Sequence, residues 1–250
     1  MAEPKKQNYL HGAAILAAGV VIMKILGFIY KVPLGNILGD EGYTHFLVAY
    51  NIYSVFLTVA TAGLPVALSR MISEANTMNR PNQVKRIFSV AWLTFCVLGV
   101  VCTLIMFLFP TELADALNDV EASQSILALS PAVLLVCLTS AYRGYCQGHE
   151  NMRPTTVGQV LEVLVKVVIG LVLAWYLKDL GKSLPLVSAG AIFGVTAGSL
   201  AALVYMFAYK RRNYAALPGG GDEPESRGQI LSTLLKVAYP SPWAPPCSRS

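Results

Sequence analysis

Long apolar runs separated by short polar connections dominate the chain. Six runs are long enough to cross a hydrocarbon core roughly 30 Å thick. They cover about 12–32, 44–68, 87–109, 126–142, 155–177 and 184–209. None shows the short alternating segments of a membrane β-barrel, and backbone exposed to lipid must satisfy its own hydrogen bonds. Each run is therefore predicted as a helix, and the fold class as all-α, a polytopic membrane protein of six transmembrane helices. Two runs are interrupted. Lys24 lies within the first, and Gly63-Leu64-Pro65 lies within the second, where it predicts a kink or an unwound turn.

The connections sort by charge. Lys5 and Lys6 precede the first run. Arg70, Arg80, Lys85 and Arg86 lie between the second and third, Arg143 and Arg153 between the fourth and fifth, and Lys210, Arg211 and Arg212 after the sixth. The alternate connections carry Asp40 and Glu41, then Glu112, Asp115, Asp119 and Glu121, and finally only Lys178 and Lys182 as basic residues. The positive-inside rule places every basic connection, and both termini, on the cytoplasmic side of a cell membrane. Residues 1–11 then form a cytoplasmic N-terminus and 12–209 the six-helix unit. The first run is too long for a signal peptide and lacks a small-residue cleavage site, so it is read as a retained span.

Beyond Arg212 the pattern changes. Residues 217–226 are rich in Pro and Gly and acidic, a linker. Ser226 is placed to cap a helix reaching Ala238, with Ile230, Leu231, Leu234 and Leu235 on one apolar face. Residues 210–238 are thus a cytoplasmic linker and amphipathic helix, suited to lie on the membrane or lead into another span. Residues 239–250 do not fit: Pro240, Pro242, Pro245 and Pro246 exclude a helix.

Composition agrees with a membrane protein: 55% of residues are hydrophobic and 13% charged, against about 25% charged in soluble domains. The net charge of +5 does not mark a nucleic-acid surface, because the basic residues sit at the ends of apolar runs. The five cysteines form no CxxC or Cys/His metal spacing, and His11, His45 and His149 are far apart in sequence. Nucleophile-elbow, zincin and phosphate-loop motifs are missing, so neither enzyme chemistry, a cofactor nor a metal is expected.

Ionisable residues inside spans are the sharpest candidates for substrate contact. A central Lys costs about 2.5–3.5 kcal/mol to insert and normally faces protein or water. Lys24 either holds an anion in a cavity or snorkels. Glu162 and Lys166 stand at i,i+4, the spacing and order of a helix ion pair. The favoured expectation is a mutually neutralising pair facing the bundle, with a cavity-lining role as the alternative. Asn51, Tyr50 and Tyr53 are milder candidates for sugar contact. Gly190, Gly194 and Gly198 form a small-xxx-small stripe that predicts helix packing.

Three stretches carry a family resemblance. Arg143-Gly144-Tyr145-Cys146-Gln147-Gly148 is followed by Met152-Arg153-Pro154-Thr155-Thr156 and Gln159. Lys24–Leu34 and Thr61–Arg70, the latter with Gly63 and Pro65, stand in the same order as in the family. Over residues 10–238 the chain resembles the polysaccharide-transporter branch of the multidrug/oligosaccharidyl-lipid/polysaccharide (MOP) exporter superfamily. Thr156 and Gly158 replace the branch's usual Ala and Ser. The resemblance implies one lobe of a two-lobe, MATE-like transporter that works by alternating access in a bacterial cell membrane. The implied partners are the lipid bilayer, an undecaprenyl-pyrophosphate-linked sugar such as lipid II or a polysaccharide repeat unit, and a second lobe missing from this chain. Membrane potential or an ion gradient would supply the energy. It also implies that Lys24 lies at a cavity position, where a cation suits a pyrophosphate. A cation-coupled multidrug exporter of the same superfamily and a non-transporting membrane fragment are the alternatives.

In this family the chain continues past the position of residue 239 into a seventh span that reads like I-P-I-T-L-G-A-S-V. Codons exist for Tyr239–Arg249 that, read two bases later, encode P-I-T-L-G-A-S-V. The tail is therefore expected to arise from a frameshift. Sequencing the gene across this point should reveal the seventh span in the shifted frame; a clean stop with no such frame downstream would sink the idea.

Overall fold

The computed structural model describes residues 9–214 and 222–238, with side chains from residue 17; the suspect tail lies outside them. The described residues are almost entirely helical and contain no strand. The order is α1 (Tyr9–Thr61), α2 (Leu64–Thr77), α3 (Pro81–Leu108), α4 (Pro110–Asp115), a 3-10 turn (Val120–Ala122), α5 (Ser123–Gly148), α6 (Arg153–Asp179), α7 (Leu184–Tyr214) and α8 (Arg227–Ala238).

Five stretches are long and apolar enough to cross a membrane, and the first, Ala17–Thr77, spans 61 residues. It holds two crossings. Gly39 has φ 65° and breaks α1. Gly19 lies against Thr156 at the start of α6. The carbonyls of Asn36 and Ile37 accept from Lys178 Nζ at the end of α6. Farther along, Pro65 lies against Gly144, near the end of α5 and back at the basic end. The chain thus runs the length of α6, turns at Gly39 and returns. Gly19 to Ile37 and His45 to Gly63 each rise about 27 Å, close to one hydrocarbon thickness. The crossings therefore number six.

Their limits differ from the hydropathy pattern. The first helix does not end at Val32 but runs on through Pro33 to Gly39. The second crossing is two helices, not one bent helix. Ala62 and Gly63 leave the helical path, Gly63 adopts φ 71°, and α2 starts afresh with a proline in its first turn. Proline is tolerated there because that N–H has no intrahelical partner. The acidic connection between the third and fourth runs also contains structure: α4 and the 3-10 turn.

Glycines set the closest approaches. A Cβ at Gly194 would lie 2.6 Å from the Lys166 carbonyl oxygen and 2.7 Å from Gly170 Cα, and one at Gly198 would strike the Glu162 carbonyl oxygen. The stripe on α7 therefore meets the backbone of α6 directly. Gly144 and Gly148 do the same for α5 against α2, at Pro65 and Ile72. In lipid no hydrophobic force separates helix from solvent, so such close van der Waals contact is a main source of association.

The helix α8 forms as its pattern predicts. The Ser226 hydroxyl receives the Gln229 N–H and Gln229 Oε1 receives the Ser226 N–H, a reciprocal cap. Its apolar face divides: Ile230 and Leu234 are fully buried against the bundle, whereas Leu231 and Leu235 stay exposed. The preceding segment is also anchored. Asp222 accepts the backbone N–H groups of Asn82 and Gln83, at 3.2 and 2.9 Å, at the start of α3. Some desolvation opposes it, but these bonds and the nearby Arg80 charge hold the Asp222 carboxyl below its usual range.

Candidate functional site: a buried charged cluster

Glu162 lies about 14 Å along α6 from its first residue, and Lys166 about 20 Å along, near the helix midpoint. Three helices meet around Glu162. Arg143 of α5 donates from Nη2 to Oε2 at 2.6 Å, and Ser199 of α7 donates to Oε1 at 3.1 Å. The two charged side chains are only 15% and 20% exposed. This corrects the expected Glu162–Lys166 pair. A planar guanidinium on the facing helix gives Glu162 a shorter, more directional bond than a flexible ammonium on its own helix. Among the described residues no carboxylate lies within salt-bridge distance of Lys166.

Lys166 is enclosed by aromatic rings. Its Nζ is 5.6 Å from the Tyr30 ring centroid and 5.4 Å from that of Tyr50. Tyr30 is fixed by its hydroxyl, which donates to the Ala191 carbonyl at 3.2 Å. Tyr50 continues into Tyr53, with 5.8 Å between ring centroids, and Tyr53 is almost wholly buried within reach of the Glu162 charge. Thus Tyr50, Tyr53, Glu162 and Lys166 form one group. Lys24 and Asn51 do not join it. Both are exposed, and their side chains make no hydrogen bond or ion pair among the described residues. They lie on faces of α1 that the bundle leaves uncovered.

The residues of the family motifs divide similarly. Gly63, Pro65, Gly144 and Gly148 shape the backbone, and Pro154 sits buried in the first turn of α6. Gln147 and Gln159 are half buried and make no side-chain hydrogen bond among the described residues. Arg143, expected to be structural, supplies the cluster's ion pair, and its Nε is buried without a hydrogen-bond partner. Its sequence placement just past the fourth apolar run hid this role: the helix continues to Gly148 and carries Arg143 inside.

A cavity of about 370 Å³ opens at the basic end between Lys85, Phe88, Tyr142, Tyr145, Lys210 and Arg211. Lys210 Nζ stands 3.2 Å from the Phe88 ring centroid and 4.8 Å from that of Tyr145, a contact worth about 0.5–2 kcal/mol depending on desolvation. Nearby His149 receives a hydrogen bond from Asn76 Nδ2 at 3.0 Å. Burial, with the Lys210 charge, pushes its imidazole down to about 4, so it stays neutral at pH 7. Hydropathy alone marks Lys210 only as a topology residue.

Residues 9–235 match the family described as polysaccharide biosynthesis protein. The chain belongs to this family. It is 32% identical over 203 residues to stage V sporulation protein B of Bacillus subtilis, covering 81% of this chain and 39% of that protein. It is 28% identical over 218 residues to the lipid II flippase MurJ of the same organism, covering 83% and 40%. Solved structures share the fold. A MATE transporter in complex with MaD3S gives a TM-score of 0.73 at 16% identity, and a MOP superfamily transporter from Pyrococcus furiosus gives 0.70 at 15%. The alignments cover 95% of this chain and 55% and 54% of theirs. The chain therefore spans about two fifths of these curated relatives and about half of the solved transporters.

The ion pair of this family member has a measurable signature. Arg143→Ala should lower stability by roughly 3 kcal/mol, because it leaves Glu162 charged and nearly enclosed. Arg143→Met with Glu162→Gln should lose less than Arg143→Ala alone. Thermal unfolding in detergent checks this; losses of Arg143→Met and Glu162→Gln measured singly that simply add in the double variant would show that the two side chains do not interact.

Proposed function

We propose that this chain is one lobe of a flippase for undecaprenyl-pyrophosphate-linked sugars, such as lipid II or a polysaccharide repeat unit. The observation that carries the reading is the charge balance of the central cluster. Arg143 and Lys166 bring two positive charges against the single carboxylate of Glu162, inside a bundle otherwise built of apolar and small residues. In a low-dielectric setting an excess cation attracts an anion far more strongly than in water. A pyrophosphate is such an anion, and Tyr50, Tyr53 and the exposed Asn51 add surfaces suited to a sugar. Lys24, on the uncovered face of α1, would meet the anion from the side turned toward a second lobe.

The reading assigns no covalent chemistry. Movement comes from alternating access between two lobes, so a second lobe is a required partner. The lobe sits in the cell membrane with its Lys/Arg-rich end and both termini in the cytoplasm. A lobe that does not transport by itself is the second reading, and it rests on the chain spanning about two fifths of its curated relatives and about half of the solved transporters.

A chimera tests the proposal: this lobe replaces the matching lobe of the Bacillus subtilis lipid II flippase in liposomes holding a fluorescent lipid-linked sugar. The chimera is expected to move the lipid, and Lys166→Gln to slow it at least tenfold. A folded chimera that moves none would remove the flippase reading, and efflux of cationic drugs in its place would favour the multidrug exporter. Movement by the chain alone would refute the inert fragment. Orientation has its own check. In a cysteine-free background, Thr111→Cys should react with an impermeant maleimide on intact cells and Asn82→Cys should not; the reverse pattern inverts the topology.

A further inference from the structure

At the acidic end, where α1 restarts after Gly39, a second polar cluster joins two elements distant in sequence. His45 is 6% exposed. Its Nδ1 lies 2.7 Å from both carboxylate oxygens of Asp119, in the connection between α4 and α5. An ionised carboxylate only accepts, so Nδ1 carries the proton. In the tautomer protonated at Nδ1 alone, the ring presents a lone pair at Nε2. That atom is buried and has no hydrogen-bond partner. It faces Glu121, whose Oε2 is 3.4 Å away, and Glu41 completes the group, with all three donor atoms within 4.8 Å of one another.

Lone pairs facing one another repel unless a cation lies between them. A second proton on the ring is one remedy, but it would engage Glu121 alone. Three donors from two elements converge here, and Glu41 and Glu121 are solvent-exposed, giving an entry path and freedom to close in. A carboxylate holding the far nitrogen of a histidine is the usual outer support of a metal-bound imidazole, fixing its tautomer and raising its basicity. One nitrogen and two carboxylate oxygens suit zinc, which leaves a fourth position for water.

We propose that Glu41, His45 and Glu121 form a divalent transition-metal site, zinc by donor chemistry, with Asp119 as the positioning residue. The metal clasps the start of the second crossing to the connection ahead of α5. This goes beyond the transport reading and does not depend on it. No covalent step is involved; zinc replaces solvent ligands with protein ones.

The test uses the full chain purified in detergent and titrated with zinc chloride, read by calorimetry and by thermal unfolding. One zinc per chain and a raised unfolding temperature are expected. Glu121→Gln and Glu41→Gln, at exposed positions that tolerate change, should each weaken binding at least tenfold. Asp119→Asn should weaken it about 10–100-fold while leaving the stoichiometry at one. Cobalt should give absorption bands of nitrogen and oxygen ligation, without the intense thiolate bands that cysteine binding produces. No zinc binding at 100 µM added metal, or binding unchanged in Glu121→Gln with Glu41→Gln, overturns the proposal. Thiolate bands in the cobalt form overturn it as well.

Discussion

The seam between α6 and α7 sets the geometry on which the rest depends. Two helices in lipid gain nothing from hiding apolar side chains from lipid, so they hold together by how closely their surfaces fit. Gly190, Gly194 and Gly198 strip one side of α7 to its backbone, and α6 settles onto it. This contact fixes the rotation of α6. Glu162 is thereby within reach of both Ser199 and Arg143, while Lys166, one turn on, comes to lie among the rings of Tyr30 and Tyr50. A bulkier residue at 194 or 198 would push the helices apart and dissolve the charged cluster with them.

The cluster shows how a buried charge is tolerated at moderate cost. Glu162 receives two donors, which repays part of its desolvation. Lys166 has no carboxylate within salt-bridge distance and relies on ring faces and the more distant Glu162 charge, a weaker compensation. The surplus positive charge is therefore held at a site where the fold offers little neutralisation.

Much of this was legible in the sequence. Run lengths and loop charges yield six crossings, and six are present among the described residues, the first two meeting at Gly39. The break at Gly63 was legible because a glycine before a proline both ends and restarts a helix. That α7 packs closely on a neighbour was legible from glycine spacing; that the neighbour is α6 comes from the fold. Three features were not. Arg143 lay beyond the expected end of the fourth run, and hydropathy cannot see a helix that continues after its apolar residues stop. Spacing on one helix suggested Glu162–Lys166, because partners on facing helices have no sequence signature. The cluster of His45 with Asp119 and Glu121 joins residues 74 or more positions apart across a turn that only the fold defines.

One detail of α8 reaches further than its size suggests. The carbonyl of Ala238 sits where a side chain on Gly63 would be. The last described turn of the lobe thus rests on the joint of its second crossing. Tilting α2 at that joint displaces the end of α8, and displacing α8 presses on the joint. With Asp222 bonded to the head of α3, α8 is tied to the lobe on both sides, at α3 through the segment before it and at the Gly63 joint through its last turn.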